Sequence, residues 1–275
     1  MGDETNEAMR AGEPGAGTLV LKVGYQGAGF SGFAAQEGQR TVAGELTRAL
    51  ETLLRRPVEM ACAGRTDAGV SAISQYVSVP VTQAEWEGLS ARRLVWSMTA
   101  LTPEDISIMG AWRAEAGFSA RFDATGRRYR YRIKCGPQPV LLAGHVWWLR
   151  DGLDVGAMDR AAQCLVGEHD FKSFCKKSSA EGKRTFRALT ECSVSRQTEV
   201  GEELVCVDVA GNAFLHNMVR IIVGTLVEVG AKRRPEAWVA EVLEARRREA
   251  AGPTAPPEGL TFLEVQYPSS ALVTW

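Results

Sequence analysis

Two hydrophobic periodicities alternate along most of the chain, and this alternation limits the possible folds more than any other feature. Apolar residues recur at every second position in segments such as residues 18–25, which is typical of a strand. They recur at helical spacing in segments such as residues 42–53. Strand patterns and helix patterns follow one another in both halves of the 275-residue chain. This mixed order predicts an α+β fold.

The predicted elements fall into two groups. In the first group we expect strands at residues 18–25, 58–63, 75–81 and 106–112 and helices at residues 42–53 and 83–97. In the second group we expect strands at residues 125–134, 186–196, 204–210 and 260–267 and helices at residues 155–166, 213–229 and 235–248. We therefore predict a disordered tail at residues 1–17, an N-terminal lobe at residues 18–115, a C-terminal lobe at residues 116–268 and a C-terminal tail at residues 269–275.

Composition and cysteine spacing exclude several classes of protein. The longest apolar runs are shorter than the roughly 20 residues that a membrane-spanning helix needs. The six cysteines lie far apart, without a C-x-x-C pair or zinc-site spacing to the three histidines. The first residues lack the order of a secretion signal. We therefore predict a cytoplasmic protein with reduced thiols, no membrane association and no metal.

The formal net charge of −1 conceals two local clusters of basic residues. The first cluster consists of Arg121, Arg127, Arg128, Arg130, Arg132 and Lys134. The second cluster consists of Lys172, Lys176, Lys177, Lys183, Arg184 and Arg187. Such clusters suit a polyanionic partner such as RNA, and a solvated charged surface is the alternative interpretation.

A G-x-G-x-x-G motif follows the first predicted strand, at residues 27–32. In a dinucleotide-binding fold a helix begins within these glycines, whereas here the helical pattern begins only near Val42. A glycine loop that allows close backbone approach is the favoured interpretation. An enzyme with a nucleotide cofactor is the weaker alternative.

The segment G-R-T-D-A-G-V at residues 64–70 places Asp67 on a loop between two predicted strands. Acidic residues on such loops often carry chemistry, although an isolated D-A-G more commonly hydrogen-bonds its own turn. Arg65 lies two residues earlier, and its guanidinium can keep the carboxylate ionised and can also hold a phosphate. Asp67 is therefore the candidate catalytic residue.

Arginine and tyrosine alternate in residues 127–133, so Tyr129, Tyr131 and Ile133 share one strand face and the arginines the other. Aromatic rings stack on nucleobases and arginines hold phosphates, which suits RNA binding. Two core tyrosines beneath an exposed basic face are the alternative, and for Tyr131 neither interpretation is preferred.

The segment F-L-H-N-M-V-R at residues 214–220 lies in a predicted helix, with His216 and Arg220 on one face. A charge among Met, Val and Ile needs an opposite charge, and Asp67 is a candidate for that buried ion pair. For His216, a satisfied core histidine is the favoured interpretation.

These motifs together resemble those of the bacterial tRNA pseudouridine synthase A family. The matching segments occur in the family's order and span about residues 18–268. They are Y-Q-G-A-G-F-S-G-F at residues 25–33, G-R-T-D-A-G-V at residues 64–70, A-R-F at residues 120–122, R-Y-R-Y at residues 128–131 and F-L-H-N-M-V-R at residues 214–220. In this family the glycine motif belongs to the first loop, which weakens the dinucleotide interpretation.

The resemblance implies two ferredoxin-like or RNP-like lobes, with antiparallel sheets, that flank a central basic active-site cleft. It also implies a homodimer that binds the anticodon stem-loop of tRNA and converts uridine to pseudouridine without a cofactor or metal. Asp67 matches the family's essential acid. It would attack C1′ or abstract a sugar proton, and the sequence leaves both routes open. A non-catalytic RNA-binding module is the alternative function.

The resemblance further implies roles in substrate binding for four residues. Arg65 would help to extrude the uridine or fill its place in the stack, and Tyr129 would stack on the flipped base. Arg220 would pair with Asp67, and Leu260 would close the apolar side of the pocket.

Three positions depart from the family's usual pattern. Ser71 and Ser119 stand where histidine is common, and Thr99 stands where asparagine is common. These departures bear on which uridines and which tRNAs are modified.

Overall fold

The computed structural model describes residues 16–180, 182 and 184–275, and these residues form two compact units. The first unit comprises the described residues up to Thr66, with Ala72–Thr125 and Val265–Trp275. The second unit comprises Asp67–Ser71 and Gly126–Glu264. The Asp67–Ser71 loop is thus grouped with the second unit. Most of the predicted N-terminal tail lies outside the described residues.

The first unit is built on antiparallel strands covered by helices. Its elements are β1 (Gly17–Tyr25), α1 (Val42–Leu54), β2 (Ala61–Cys62), β3 (Ser71–Val81), α2 (Gln83–Gly88), α3 (Ala91–Leu101) and β4 (Ile106–Ala114). Strand β1 lies between β3 and β4 and is antiparallel to both, and β2 pairs with β3. The core includes Leu46 and Leu50 of α1 and Leu94 and Met98 of α3, all fully buried.

The single helix predicted at residues 83–97 is two helices in the structure. Helix α2 begins with a capping box, in which Thr82 accepts a bond from the Glu85 N–H and the Glu85 carboxylate accepts one from the Thr82 N–H. The chain then becomes extended at Leu89, which ends α2 before α3 begins. Helical periodicity is preserved across this break, so the pattern alone does not reveal it.

The second unit contains a longer run of paired strands. Its elements are β5 (Gly126–Cys135), β6 (Trp147–Leu149), α4 (Val155–Ala162), β7 (Gly167–Asp170), α5 (Lys177–Ala180), β8 (Phe186–Glu199), β9 (Glu202–Gly211), α6 (Met218–Gly230), α7 (Trp238–Ala245) and β10 (Leu260–Gln266). The strand order within this unit is β10-β5-β9-β8-β7, and β6 is parallel to β5. Strands β5, β9, β8 and β7 pair antiparallel in turn. The predicted α+β class and the mostly antiparallel strand pairing are confirmed.

Strand β5 has the two faces that its sequence predicts. Tyr129, Tyr131 and Ile133 are buried, and the arginines between them lie on the opposite face. The Tyr131 hydroxyl donates a hydrogen bond of 2.7 Å to the carbonyl oxygen of Pro256. Tyr131 is therefore a core residue with a satisfied hydroxyl, and its RNA-binding interpretation is wrong.

Helix α6 begins at Met218 and not at residue 213, where the sequence pattern predicted its start. Asn217 adopts a left-handed conformation with φ 62°, so the segment before it does not continue the helix. The His216 carbonyl instead accepts a hydrogen bond from the Lys176 N–H. The His216 side chain is exposed, so the expected core histidine is a wrong prediction.

Two glycines allow α6 to lie directly against the segment that precedes β10. A side chain at Gly224 would overlap the carbonyl oxygen of Pro253, and one at Gly252 would meet the backbone of Thr225. The Thr225 hydroxyl accepts a 3.0 Å hydrogen bond from the Gly252 N–H. Among the described helices, α6 included, none is long and apolar enough to cross a membrane.

We expect Gly224→Ala to destabilise the protein by about 1–3 kcal/mol, because the added methyl group forces α6 away from the Pro253 backbone. This cost exceeds the gain of about 1 kcal/mol that alanine normally brings to a helix interior. The matched control is Gly88→Ala at the end of α2, where the added group meets open space. Thermal melting of both variants measures the effect, and a Gly224→Ala protein that melts at or above the wild-type temperature contradicts the packing argument.

Candidate active site

The loop that carries Asp67 is held on its amino-terminal side by buried polar side chains of the first unit. The fully buried Gln75 side chain binds both backbone groups of Gly64. The Gly64 N–H donates a 3.3 Å hydrogen bond to Gln75 Oε1, and Gln75 Nε2 donates a 2.6 Å hydrogen bond to the Gly64 carbonyl oxygen. The Thr66 and Tyr25 hydroxyls are 2.8 Å apart, and the Thr66 carbonyl accepts a bond from the Phe33 N–H. The loop is therefore fixed up to the residue before Asp67.

The G-x-G-x-x-G motif serves this support and does not form a nucleotide site. Gly27–Gly29 form a short 3-10 helix, and the next α-helix begins only at Val42. Phe30 and Phe33 are buried, with ring centroids 6.5 and 6.2 Å from that of Tyr25. Burial raises the pKa of Tyr25, so its hydroxyl remains a neutral partner for Thr66. The dinucleotide interpretation is wrong, because no α-helix begins at these glycines.

Asp67 itself begins a tight turn. Its carbonyl accepts a 3.2 Å hydrogen bond from the Val70 N–H, and Gly69 has a φ of +79°. The turn lies against Pro257, since a side chain at Gly69 would come within 2.9 Å of the proline ring. A glycine is required here by both the backbone angle and the close contact.

Both oxygens of the Asp67 carboxylate have a nitrogen partner. Arg220 Nη1 lies 3.2 Å from Oδ2, and His216 Nε2 lies 3.4 Å from Oδ1. The predicted pairing of Asp67 with Arg220 is present, although the side chains retain 22% and 16% of their exposure. Sequence reasoning missed His216 as a partner, and its place in the F-L-H-N-M-V-R segment was the only signal.

Arg220 is anchored by groups other than Asp67. Its Nε donates a 2.8 Å hydrogen bond to the Ala255 carbonyl, and its Nη1 also donates over 3.2 Å to Asn217 Oδ1. Because these acceptors orient the guanidinium plane, Arg220 presents a fixed donor and a positive charge to Asp67.

The other predicted site residues lie in different surroundings. Tyr129 is buried: its ring stacks on Phe262 at a centroid distance of 4.7 Å, and Phe214 meets it edge-on at 4.9 Å. Leu260 is buried at the start of β10. Arg65 is exposed and belongs to the first unit. The structure thus places Asp67 beside Arg220, and it places Tyr129 against the rings of Phe262 and Phe214.

Most of the first basic cluster forms ion pairs with acidic side chains of β8 and β9. Arg130 is the clearest case, because its Nε and Nη2 donate to the two oxygens of the buried Asp208 carboxylate over 2.9 and 3.0 Å. This hydrogen bonding raises the pKa of Arg130. The remaining pairs are Arg128 with Glu191, Arg132 with Glu199 and Lys134 with Glu202. This face is therefore a network of ion pairs and not an uncompensated positive surface.

The second basic cluster is the more exposed one. Lys172, Lys176 and Arg184 are exposed. Lys177 is also exposed, and its Nζ lies 3.4 Å from Glu249 Oε1. Because both side chains are exposed to solvent, this ion pair is weak. Lys183 lies outside the described residues. This cluster retains more positive charge for a polyanion than the first.

Cysteines and other potential metal ligands do not gather at one point in the described part of the chain. All six cysteines are free. Within the described residues, no group of three or more His, Cys, Asp or Glu side chains could hold a metal ion.

Comparison with known proteins identifies close relatives. A family model described as tRNA pseudouridine synthase matches residues 161–268. The chain is 43% identical over 265 residues to tRNA pseudouridine synthase A of Streptomyces griseus, covering 95% of this chain and 92% of that protein. It is 41% identical over 263 residues to tRNA pseudouridine synthase A of Pseudomonas aeruginosa, covering 95% and 89%.

Among solved structures, the chain is similar to an archaeal box H/ACA sRNP Nop10–Cbf5 complex. The similarity covers 86% of this chain and 60% of that chain, at 12% identity and a TM-score of 0.33. So weak a likeness carries no conclusion about the fold.

Proposed function

The chain belongs to the tRNA pseudouridine synthase A family, and from this premise we propose that Asp67 performs the chemistry of the reaction. The protein is an isomerase that converts uridine in tRNA to pseudouridine. The observation that carries the assignment of Asp67 is the contact of both its carboxylate oxygens with Arg220 and His216.

The reaction requires one such carboxylate. The N1–C1′ bond breaks, a C1′–C5 bond forms, the C5 proton leaves and N1 gains a proton, so product and substrate have the same composition. Hydrolysis of a glycosidic bond uses a second carboxylate, either to protonate the leaving group or to activate water. Here the base itself returns to the sugar and no water is consumed. Asp67 acts either as the nucleophile at C1′ or as the base that removes a sugar proton.

The Arg220 guanidinium supports this role by its fixed orientation. Because it is held by Ala255 and Asn217, it keeps its charge beside Oδ2 while the carboxylate reacts. A preorganised donor of this kind stabilises charge without reorganising during the reaction.

Three further residues bind the extruded uridine in this proposal. Phe262 covers one face of the Tyr129 ring, so a flipped base stacks on the opposite face. Leu260, buried at the start of β10, closes the apolar side of the pocket. Arg65, exposed on the loop before Asp67, helps to extrude the uridine or fills its place.

The second basic cluster is the proposed contact for the tRNA backbone, because Lys172, Lys176 and Lys177 are exposed while the first cluster is largely paired. The anticodon stem-loop as target, the two-lobed cleft and the homodimer stay predictions from the family resemblance. Sedimentation analysis of the free protein tests the homodimer.

Incubation with a transcribed tRNA, followed by digestion and separation of nucleosides, tests the function. We expect pseudouridine to appear, and to fall sharply with a transcript in which cytidine replaces the uridines of the anticodon arm. Pseudouridine formed equally in both transcripts contradicts the stem-loop target. Binding without any pseudouridine would favour the non-catalytic RNA-binding module.

We expect Lys176→Ala/Lys177→Ala to weaken tRNA binding by removing phosphate contacts. Each lost contact reduces the magnitude of the slope of log affinity against log salt concentration by about 0.7–0.9. The slope of the double variant should therefore be smaller in magnitude by about 1.4–1.8. KM should rise more than kcat falls, because such contacts position the RNA before the chemical step. Binding titrations at several salt concentrations measure the slope.

The control for this variant is Arg92→Ala/Arg93→Ala on α3, which removes the same charge from exposed positions outside both basic clusters. Equal salt slopes in the two double variants would show that the lysines form only a solvated surface.

A further inference from the structure

A chain of three side chains leads from α5 to the Asp67 carboxylate. The hydroxyl of Ser179 lies 3.0 Å from His216 Nδ1, and His216 Nε2 lies 3.4 Å from Asp67 Oδ1. On the other side of the carboxylate, Oδ2 accepts from Arg220. His216 therefore has one ring nitrogen toward a serine and the other toward the proposed catalytic acid.

The backbone next to the imidazole is fixed by a hydrogen bond and by a left-handed residue. The His216 carbonyl accepts a 3.1 Å hydrogen bond from the Lys176 N–H, and Asn217 takes up the left-handed turn before α6. The segment that carries Ser179 is thus tied to His216 by one backbone bond and one side-chain bond. An exposed histidine without such ties would sample several rotamers.

The tautomer of His216 decides whether its Nε2 can donate a hydrogen bond to the Asp67 carboxylate. A neutral imidazole donates from one nitrogen and accepts at the other. If Nε2 carries the proton, it donates to Asp67 while Nδ1 accepts from the Ser179 hydroxyl. If Nδ1 carries the proton, Nε2 presents a lone pair to a carboxylate oxygen, which is repulsive.

We propose that His216 is a positioning residue that orients the Asp67 carboxylate through its Nε2–H, and that Ser179 stabilises this tautomer by donating to Nδ1. The proposal rests on the proposed catalytic role of Asp67. Arg220 lies 3.2 Å from Oδ2 and His216 lies 3.4 Å from Oδ1, so each carboxylate oxygen has a partner that favours one orientation. Such support of a reacting group by a second layer of hydrogen bonds preserves its productive geometry.

Single-turnover rates with tRNA test the proposal. We expect Ser179→Ala to lower the rate of the chemical step by about tenfold, with tRNA affinity unchanged, because one hydrogen bond that fixes the site is lost. Ser179→Thr retains a hydroxyl and should keep most of the rate. The matched control is Ser178→Ala, which removes the same group from the neighbouring exposed position of α5.

A double-mutant cycle separates stabilisation of the His216 tautomer from a merely structural role of Ser179. In His216→Gln the amide nitrogen donates from nearly the position of Nε2 and has no tautomer, so we expect this variant to keep much of the rate. Ser179→Ala should then cost little in the His216→Gln background. An equal cost in both backgrounds would overturn the proposal.

Nitrogen chemical shifts of the imidazole rings give a readout that does not depend on activity. The protein has three histidines, and the His216 signals are those missing from His216→Gln. We expect a protonated Nε2 and an unprotonated Nδ1 in the wild type, with a mixed tautomer in Ser179→Ala. A wild-type ring protonated only at Nδ1 would refute the proposal.

Asp67→Asn, measured in the same assay, distinguishes failure of this inference from failure of the proposed function. If Asp67→Asn is active, the catalytic role of Asp67 is wrong, and the inference that His216 positions a catalytic carboxylate is wrong with it. If Asp67→Asn is inactive while Ser179→Ala reacts as fast as Ser178→Ala, only the positioning inference is wrong.

Discussion

Asp67→Asn is expected to abolish pseudouridine formation, by about 10⁴-fold or more in a single-turnover assay. The amide nearly preserves the shape of the side chain but removes the charge that a nucleophile or base requires. The tight turn formed by the Asp67 carbonyl and the Val70 N–H does not involve the carboxylate, so the fold should survive. Affinity for tRNA, measured by filter binding, should stay within a few-fold of the wild type.

The matched control for this variant is Asp123→Asn, which makes the same change at a carboxylate that accepts a hydrogen bond from the Ser119 N–H in the first unit. It should leave the rate of isomerisation nearly unchanged. More than a trace of activity in Asp67→Asn would show that another group carries the reaction.

Arg130→Met is expected to cause the largest loss of stability without a direct effect on chemistry. The substitution leaves Asp208, only 5% exposed, without the guanidinium that binds both its oxygens, and Arg128 lies 3.8 Å away as a weaker partner. Removing one partner of a buried ion pair costs about 3–5 kcal/mol, and we expect about 3 because Arg130 keeps 20% of its exposure. The melting temperature should fall by roughly 6–12 °C.

The double variant Arg130→Met/Asp208→Leu provides the control, because it removes the buried charge together with its partner. It should recover most of the lost stability, since an apolar pair of similar volume replaces the ion pair. The salt slope of tRNA binding, measured below the melting transition, should match the wild type. A reduced slope in Arg130→Met would assign Arg130 to the RNA-binding surface instead.

Properties that depend on neighbouring residues along the chain were predictable from the sequence. The two faces of β5 follow from the alternation of side chains along a strand, so Tyr129, Tyr131 and Ile133 were expected on one face and the arginines on the other. The α+β class follows from the order of strand and helix patterns. The motifs that contain Asp67 and Arg220 suggested both the family and their pairing, although 153 residues separate the two.

Properties that depend on which segments meet were decided only by the tertiary structure. The arginines of β5 looked available for RNA, but Asp208 and Glu199 reach Arg130 from 78 and 69 residues away along the chain. The glycine motif was expected to be a loop, but only folding shows what this part of the chain supports, because it places Tyr25 against Thr66. His216 looked like a core residue, because a helical pattern does not reveal the left-handed Asn217 before α6. Charge compensation and side-chain orientation arise from long-range contacts, and a periodicity in sequence contains no information about the partner that a folded chain brings to each residue.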